Sequence, residues 1–420
     1  MRALMICSSF GNAADWLYLS ATEPLNAPSF RVWGFTQIGY QKDYGTIFNK
    51  DGINKTPFAM IPPSLEKQSG FELNRARLAL RGKFDKANTF NYFVMSEFGI
   101  NGITKPAGHS SNNYLTDLSV TYRAIPYLNI RIGQFKYPGS EEGMRAVFAS
   151  EYRNFSNAGS QLLLERFIPN NSQEVSPDRF QAAPTTSVGA FRDRGVELFY
   201  TFALKKNIKL SLAGMVGSGT GLSSENFSGK PTYYAYLANE YIFGGKKGYF
   251  QESLKSYAWY QNGKRRLQNR NYTRERYGFG IDYFHKGLRI DLEYIKAKGM
   301  IYNGAKDVES DPYGVDWEYQ IAASSDNKAD GAYISTQYYI VARRVELLMR
   351  YDYLHRLTNS AKGRRDYKTT TVGLSYHFYG ANRIDLNYAF RSIDAPDNQS
   401  ADEIVENVGN LLSVQATLKF

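Results

Sequence analysis

Apolar and polar residues alternate along almost the whole chain, in segments of about ten residues separated by turns or polar loops. The segment 71–84, FELNRARLALRGKF, places cations on odd positions and mostly apolar residues on even ones. The cations are Arg75, Arg77, Arg81 and Lys83. A period of two puts these cations on one face of a strand, whereas a helix would scatter them around its axis. The segment is therefore predicted to be a strand with one basic and one apolar face.

Fifteen segments share this alternation, and their connections are short and long in turn. The segments are 29–41, 71–84, 89–100, 113–123, 127–136, 194–204, 207–217, 232–243, 276–287, 288–298, 332–342, 345–356, 367–379, 383–393 and 411–420. The long connections are 42–70, 137–190, 299–331 and 394–407. Strands of about ten residues with short turns at one end and long loops at the other are typical of outer-membrane barrels.

The composition favours a membrane barrel over a soluble β-sandwich, which would show the same alternation. The chain has 33 Tyr and 26 Phe among its 420 residues, and amphipathic rings suit the membrane interface. No run approaches the roughly 18 apolar residues of a transmembrane helix. We therefore expect an all-β fold, a transmembrane antiparallel β-barrel of about 16 strands, with the unlocated strand hidden in a loop. The terminal Phe420 resembles the signal that barrel-assembly machinery reads in bacterial outer-membrane proteins.

The chain is predicted to contain one large domain after a short leader. Residues 1–13 resemble a truncated secretory signal peptide with cleavage near Ala13, residues 14–28 form an N-terminal extension, and residues 29–420 form the barrel. Cys7 is the only cysteine, so an internal disulfide is impossible.

Three motifs resemble, in order and spacing, the phosphate-selective porin O and P family of Gram-negative outer membranes. They are FELNRARLALRGKF, LNIRIGQFKYPGSEEG (128–143) and FRDRGVELFYTF (191–202). The resemblance implies a sixteen-stranded barrel, usually a homotrimer, whose long third extracellular loop folds inward and narrows the pore. Here that constriction loop is 137–190.

The net charge of +11 implies anionic partners, and the barrel prediction gives them a route. If the apolar face of 71–84 meets lipid, its cations form a ladder along the water-filled lumen, and an anion would step between them. Arg123 and Arg131 extend the ladder, and Arg145 and Arg153 of the constriction loop are candidates to point into the pore. Two alternatives stay open. The wall cations could pair with Glu97, Asp117 and Glu197, and the loop arginines could dock the loop through Glu141, Glu142 or Glu151.

The segment 244–276 is interpreted as a basic extracellular insert that contacts lipopolysaccharide or steers anions. In a soluble protein its interleaved aromatics would suggest nucleic-acid binding. No cofactor or metal site is expected; the acidic segment 307–312 lacks the spacing of a calcium loop. An enzyme is not expected either, because the pattern places Ser375 and His377 toward the lumen rather than the outer surface.

These observations predict a passive anion-selective porin of the Gram-negative outer membrane, for phosphate or similar small anions. A general or sugar-type diffusion porin and a structural or adhesive barrel remain as alternatives.

Overall fold

Sixteen strands form one closed antiparallel barrel in the computed structural model, each strand pairing with its two neighbours in the chain. The last strand pairs with the first, from Phe35 opposite Lys419 to Asp43 opposite Leu411. The strands are β1 (Arg31–Asp43), β2 (Ser69–Lys83), β3 (Phe90–Glu97), β4 (Tyr114–Tyr122), β5 (Asn129–Lys136), β6 (Arg192–Lys205), β7 (Ile208–Gly217), β8 (Thr232–Gly245), β9 (Gln251–Leu267), β10 (Arg270–His285), β11 (Leu288–Lys298), β12 (Lys328–Val341), β13 (Val345–Arg356), β14 (Arg365–Tyr379), β15 (Asn382–Asp394) and β16 (Leu411–Lys419). The predicted fold class is confirmed.

The structure describes residues 15–50, 53–55, 69–99, 101, 103–104, 114–165, 174–176, 179–181, 189–222, 228–245, 251–301, 320–361 and 363–420. The predicted signal peptide 1–13 and the acidic segment 307–312 lie outside these residues. The described parts of the long connections contain five short strands: Phe48–Lys50, Ile53–Lys55, Glu174–Ser176, Arg179–Gln181 and Gln320–Ala322.

The alternation of the sequence becomes the difference between the two faces of the barrel. On β15, Leu386 points outward and is 43% exposed, whereas its neighbour Asp385 points inward and is 1% exposed. The outward side chains of the other strands likewise form an apolar surface of Leu, Ile, Val, Phe and Tyr. A closed sheet satisfies all its backbone groups within itself, so this surface can face hydrocarbon.

Closure of the barrel depends on a glycine beneath the terminal aromatic ring. The backbone amides of Gly34 and Phe420 donate to each other's carbonyls at 3.0 and 3.1 Å. A Cβ atom at Gly34 would lie 2.6 Å from the Phe420 ring and 2.6 Å from the Arg77 carbonyl oxygen. Only glycine therefore allows this approach without displacing its neighbours.

The interpretation of 244–276 as an insert is wrong, because this segment contains the missing sixteenth strand. β9 lies entirely within this segment, and the first seven residues of β10, 270–276, lie within it too. The two-residue turn 268–269 joins the two strands. The inward face of β9 carries Tyr257 and Trp259, whereas its outward face carries Ser256 and Ala258. Membrane strands usually carry apolar residues outside and polar residues inside, and these positions have the opposite arrangement. The sequence pattern therefore did not predict a membrane strand here.

Among the residues that the structure describes, three α-helices accompany the barrel: α1 (Trp16–Ala21), α2 (Glu141–Met144) and α3 (Gln399–Val405). A 3₁₀ turn spans Val147–Ala149 and a π turn spans Gly159–Leu163. Among the described residues, no helix is long and apolar enough to cross a membrane. The buried apolar residues of α1 and of the connection after β5 share one cluster with the inward aromatics of the strands.

Candidate functional site

The inward face of β2–β6 is rich in cations, and we call it the basic wall. It comprises Arg75, Arg77, Arg81, Arg131, Lys136 and Arg192. The sequence predicted an inward position for the first four of these. Lys136 and Arg192 were missed, because both lie at strand ends beside the long connection, out of phase with the inward residues of their strands.

The central cations of β2 have partners of different charge. Arg77 pairs with Glu97 of β3, with Nε to Oε2 at 2.7 Å. Arg75 donates to the neutral Oε1 of Gln37 at 2.8 Å, and no carboxylate lies within ion-pair distance of it in the described part of the chain. The predicted ladder is therefore neutralised by a carboxylate at Arg77 and remains uncompensated at Arg75.

The periplasmic end of the ladder, where the short turns lie, is covered by the N-terminal segment 15–28. Arg81 pairs with Glu23 and also donates to the carbonyl oxygens of Leu19 and Thr22, at 3.0 and 2.8 Å. Lys83 donates to the carbonyl of Leu25. The ladder's end therefore binds backbone oxygens and one carboxylate of the chain itself.

Arg123 and Arg131 also contact the N-terminal segment. Arg123 donates to the carbonyl oxygen of Glu23 at 2.8 Å. Arg131 donates to the hydroxyl and the carbonyl of Ser20 at 3.2 and 3.3 Å and lies 3.9 Å from Glu197. The segment that the sequence presented only as an extension is thus anchored across the inward faces of several strands.

Helix α1 lies in the lumen because its two faces meet complementary partners there. Asp15 caps the helix and accepts a 2.5 Å hydrogen bond from Thr201 of β6. Tyr18 accepts from the Asn129 amide at 2.9 Å and contacts the Phe199 ring edge-on at 5.4 Å. Trp16 and Leu17 are each only 5% exposed. The periplasmic end of the barrel is therefore partly filled by α1.

A cavity remains beside the basic wall, between α1, the strands and the connection after β5. Five cations line it, against a single carboxylate, Asp117. The cations are Arg77, Arg81, Arg131, Lys136 and Arg192. Asp117 is already bound by Arg192, at 2.9 Å. The three other arginines pair with carboxylates just outside the lining, so the positive charge left over at the cavity is that of Lys136.

The connection 137–191 contacts inward-facing side chains of many strands through its described residues 137–165. Gln37 of β1 donates to the Val147 carbonyl at 3.4 Å, and Arg383 of β15 donates to the Phe148 carbonyl at 2.7 Å. Asn157 donates to Asp352 of β13 at 2.7 Å through its side chain. These contacts lie within five consecutive strands of the barrel, from β13 to β1.

Arg145 and Arg153 of this connection both bind wall carboxylates. Arg145 donates to Asp291 of β11 at 3.0 Å and lies 4.0 Å from Asp282 of β10. Arg153 pairs with Glu72 of β2. The loop glutamates that the sequence offered as their partners are bound elsewhere; Glu141, for example, accepts from Lys255 of β9 at 2.8 Å.

The inward face of β9–β13 carries several carboxylates among its cations, and we call it the balanced wall. A second, smaller cavity lies between it and the connection 137–191. Glu142 and Asp291 line this cavity together with Arg145 and Arg350. Arg350 also lies 3.4 Å from Asp352. Each cation here therefore has a carboxylate close to it.

Burial and neighbouring charges act against each other at the loop residues. Burial would raise the pKa of the Glu165 carboxyl, but Arg265 and Arg274, at 2.5 and 3.0 Å, hold that pKa below its ordinary value. Burial likewise lowers the pKa of Arg145, but Asp291 and Asp282 raise it well above its ordinary value. Both loop residues therefore stay charged and fix the loop to the wall.

Ser375 and His377 face inward, as predicted, but each has its own carboxylate partner. Ser375 donates to Asp385 at 2.5 Å, and His377 lies 3.1 Å from Glu346. In the part of the chain that the structure describes, no group of three or more His, Cys, Asp or Glu could hold a metal ion.

No protein-family model matches the sequence, and no curated protein matches it at a significant level. Solved structures do match. OmpF of Salmonella typhi, in a complex with daunomycin, has a TM-score of 0.57 and 14% identity, covering 93% of this chain and 97% of that one. The anion-selective porin of Comamonas acidovorans has a TM-score of 0.55 and 13% identity, covering 93% and 99%.

The outer membrane channel DcaP of Acinetobacter baumannii is a third match, with a TM-score of 0.51 and 13% identity over 95% of this chain and 99% of that one. At such identities the likeness concerns the fold. The chain therefore has the fold of Gram-negative outer-membrane porins.

Proposed function

We propose that this protein is a passive channel of the Gram-negative outer membrane that prefers anions, with phosphate-like solutes as the narrower candidates. The observation that carries the proposal is the larger cavity, where five cations line the wall and Lys136 has no carboxylate within ion-pair distance among the described residues. A field of one sign in a low-dielectric cleft concentrates counter-ions and speeds their passage. The fold shared with an anion-selective porin agrees with this proposal.

The pathway that we propose differs from an unbroken ladder of free cations. An anion would pass Lys136 and Arg75, which have no carboxylate within ion-pair distance among the described residues, between guanidinium groups whose charge is partly offset. Lys136 donates to the carbonyl of Arg145 at 2.7 Å. A few uncompensated cations attract an anion and still release it, whereas a chain of bare cations would hold it. Arginine additionally offers a planar fork that fits phosphate oxygens.

We propose that the connection 137–191 narrows this pathway. Its α2 and 3₁₀ segments supply Met144 and Phe148 to the larger cavity and Arg145 to the smaller one. The loop would thereby divide the lumen into a positive passage and a charge-balanced one.

A general diffusion porin is the second candidate, and the balanced wall favours it. Asp282, Asp291 and Glu293 face inward on the far side of the lumen from the cations of β2. Opposed charges of this kind create a field across the pore and leave little net preference between ions.

The proposed partners follow from the resemblance and from the surface. Homotrimer assembly rests on the resemblance. Recognition of Phe420 by the barrel-assembly machinery rests on its position at the end of the closing strand. Contact with lipopolysaccharide would involve Arg266 and Arg270 at the outer tip of the β9–β10 hairpin, since phosphates bind arginine well.

Single-channel recording of the full chain in a planar bilayer, under a potassium chloride gradient, tests the proposed function. We expect a reversal potential on the chloride side and a block of the current by added phosphate. The double variant Arg77→Ala, Arg81→Ala should weaken both effects. The matched variant Arg266→Ala, Arg344→Ala removes two exposed arginines and should leave both effects unchanged.

A reversal potential near zero without phosphate block would contradict the anion preference and favour a general porin. Block by phosphate that survives Arg77→Ala, Arg81→Ala would contradict the proposed pathway.

A further inference from the structure

The larger cavity combines its cations with an aromatic surface, which a channel for hydrated inorganic ions does not require. Its aromatic lining comprises Trp16, Trp33, Phe35, Phe93 and Phe148. These rings come from α1, from β1 and β3, and from the connection after β5, so the barrel and both segments inside it build one surface.

The rings form an ordered stack that borders an empty space. Trp33 lies parallel to Phe93 and to Phe35, with centroid distances of 6.5 and 6.4 Å and interplanar angles of 20°. Phe148 meets Trp33 edge-on at 5.7 Å. Rings in this arrangement offer both faces and edges to a further aromatic or alkyl group.

The cations lie directly against these rings. The guanidinium carbon of Arg81 lies 5.4 Å from the centre of the Phe93 ring, and that of Arg77 lies 5.7 Å from the centre of the Phe35 ring. A solute with an apolar body and an anionic group could therefore contact a ring and a cation at the same time.

A hydrogen-bond donor is also left over at this cavity. Trp16 is 5% exposed and lines the cavity, yet its buried indole N–H has no acceptor among the described residues. A buried N–H without a partner is costly, so an acceptor supplied by a solute would be favourable. The Lys136 ammonium has three hydrogens, and one of them is used by the Arg145 carbonyl.

We infer that this cavity is a binding site for organic anions that carry a compact apolar body, of the class of aryl carboxylates. The carboxylate would accept from Trp16 and Lys136, and the body would lie against Trp33 and Phe93. The inference rests on the proposed channel function, because it names the class of anion that the positive passage selects.

Tryptophan fluorescence of the full chain in detergent gives a binding readout that does not depend on current. Two of the four tryptophans, Trp16 and Trp33, line the cavity. Benzoate, acetate and benzyl alcohol are the probes, which supply body and charge, charge alone and body alone. We expect benzoate to change the fluorescence and to block the channel at concentrations at least about tenfold below those of the other two.

Two variants test the polar half of the site by benzoate block. Trp16→Phe keeps the ring and removes the donor, and Lys136→Gln removes the charge; each should weaken the block by about tenfold. Trp259→Phe is the matched control. Trp259 is equally buried but donates to Glu293 at 2.8 Å, outside this cavity, so the control should leave the block unchanged.

Equal half-maximal concentrations for benzoate and acetate would overturn the inference, and so would a block insensitive to both Trp16→Phe and Lys136→Gln. The reversal potential in potassium chloride separates the two proposals. A chloride preference without benzoate selectivity leaves the channel proposal and removes this site. Benzoate binding with a reversal potential near zero leaves the site and contradicts the anion-preferring channel.

Discussion

The basic wall and the balanced wall differ in how their cations are compensated rather than in how many charges they carry. Each cation that lines the smaller cavity lies close to a carboxylate, as Arg145 does to Asp291. The larger cavity holds Lys136 without a carboxylate at ion-pair distance among the described residues. The difference teaches that an inward arginine alone does not mark an anion path. An inward arginine attracts anions only if no nearby carboxylate neutralises its charge.

The two walls also differ in what covers them. The N-terminal segment 15–28 binds the periplasmic end of the basic wall, whereas the connection 137–165 docks on the balanced wall through side-chain pairs such as Asn157 with Asp352. Variants that remove or loosen one of these two segments at a time therefore separate the roles of the two walls.

Removal of residues 15–28 should have the largest effect. Without α1 and Glu23, the periplasmic end of the basic wall opens, and we expect the single-channel conductance to rise by about twofold or more. Bilayer recording measures this, after heat-modifiable gel migration has verified that the barrel is folded. An unchanged conductance in a folded barrel would mean that α1 does not obstruct the path.

The variant Glu23→Gln separates charge from obstruction. It keeps α1 but leaves Arg81 and Arg31 without their carboxylate, which lies 3.2 Å from Arg31. We expect a stronger chloride preference at nearly constant conductance, since only the local charge changes. The reversal potential measures it, and a shift toward zero would contradict the assignment of Glu23 as a counter-charge of the basic wall.

Salt should weaken the selectivity of the basic wall gradually. The screening length falls from about 10 Å at 0.1 M to about 3 Å at 1 M, and partly exposed cations such as Lys136 are screened first. We therefore expect the chloride-to-potassium permeability ratio to decline between these concentrations at a fixed gradient. A ratio independent of salt would indicate that a steric filter, not charge, selects the ion.

The variant Asn157→Ala should have the smallest effect, confined to the attachment of the loop to β13 and β14. It removes hydrogen bonds to Asp352 at 2.7 Å and to Thr369 at 3.0 Å. Their loss costs about 1–3 kcal/mol of loop docking. We expect more open-channel current noise with an unchanged reversal potential. A changed ion preference would show that the balanced wall contributes to selectivity.

Most of the barrel was predictable because membrane and lumen impose a strict alternation on each strand. Arg383 to Phe390 on β15 and Thr371 to Phe378 on β14 have the predicted orientations. The strand β9 was not predicted because its aromatic residues face inward, where they contact residues that are distant in sequence. Trp259, for example, donates a hydrogen bond to Glu293.

The inward position of the ladder cations was also predictable, but the carboxylates that pair with them were only partly so. Glu97 is a strand neighbour of Arg77 and was named as a possible partner. The binding of Arg81 by Glu23 depends on where the N-terminal segment folds, which local pattern does not encode. The inward positions of Lys136 and Arg192 were not predicted, because strand ends beside a long loop do not follow the alternation.

The central claim is that uncompensated charge on the basic wall sets the ion preference, and one comparison of reversal potentials tests it most directly. Wild type, Lys136→Gln and the charge-conserving pair Arg145→Gln, Asp291→Asn are recorded under the same potassium chloride gradient. We predict a chloride-side potential in wild type, a shift on the order of 10 mV toward zero in Lys136→Gln, and no shift in the double variant. A shift in the double variant with none in Lys136→Gln would contradict the account.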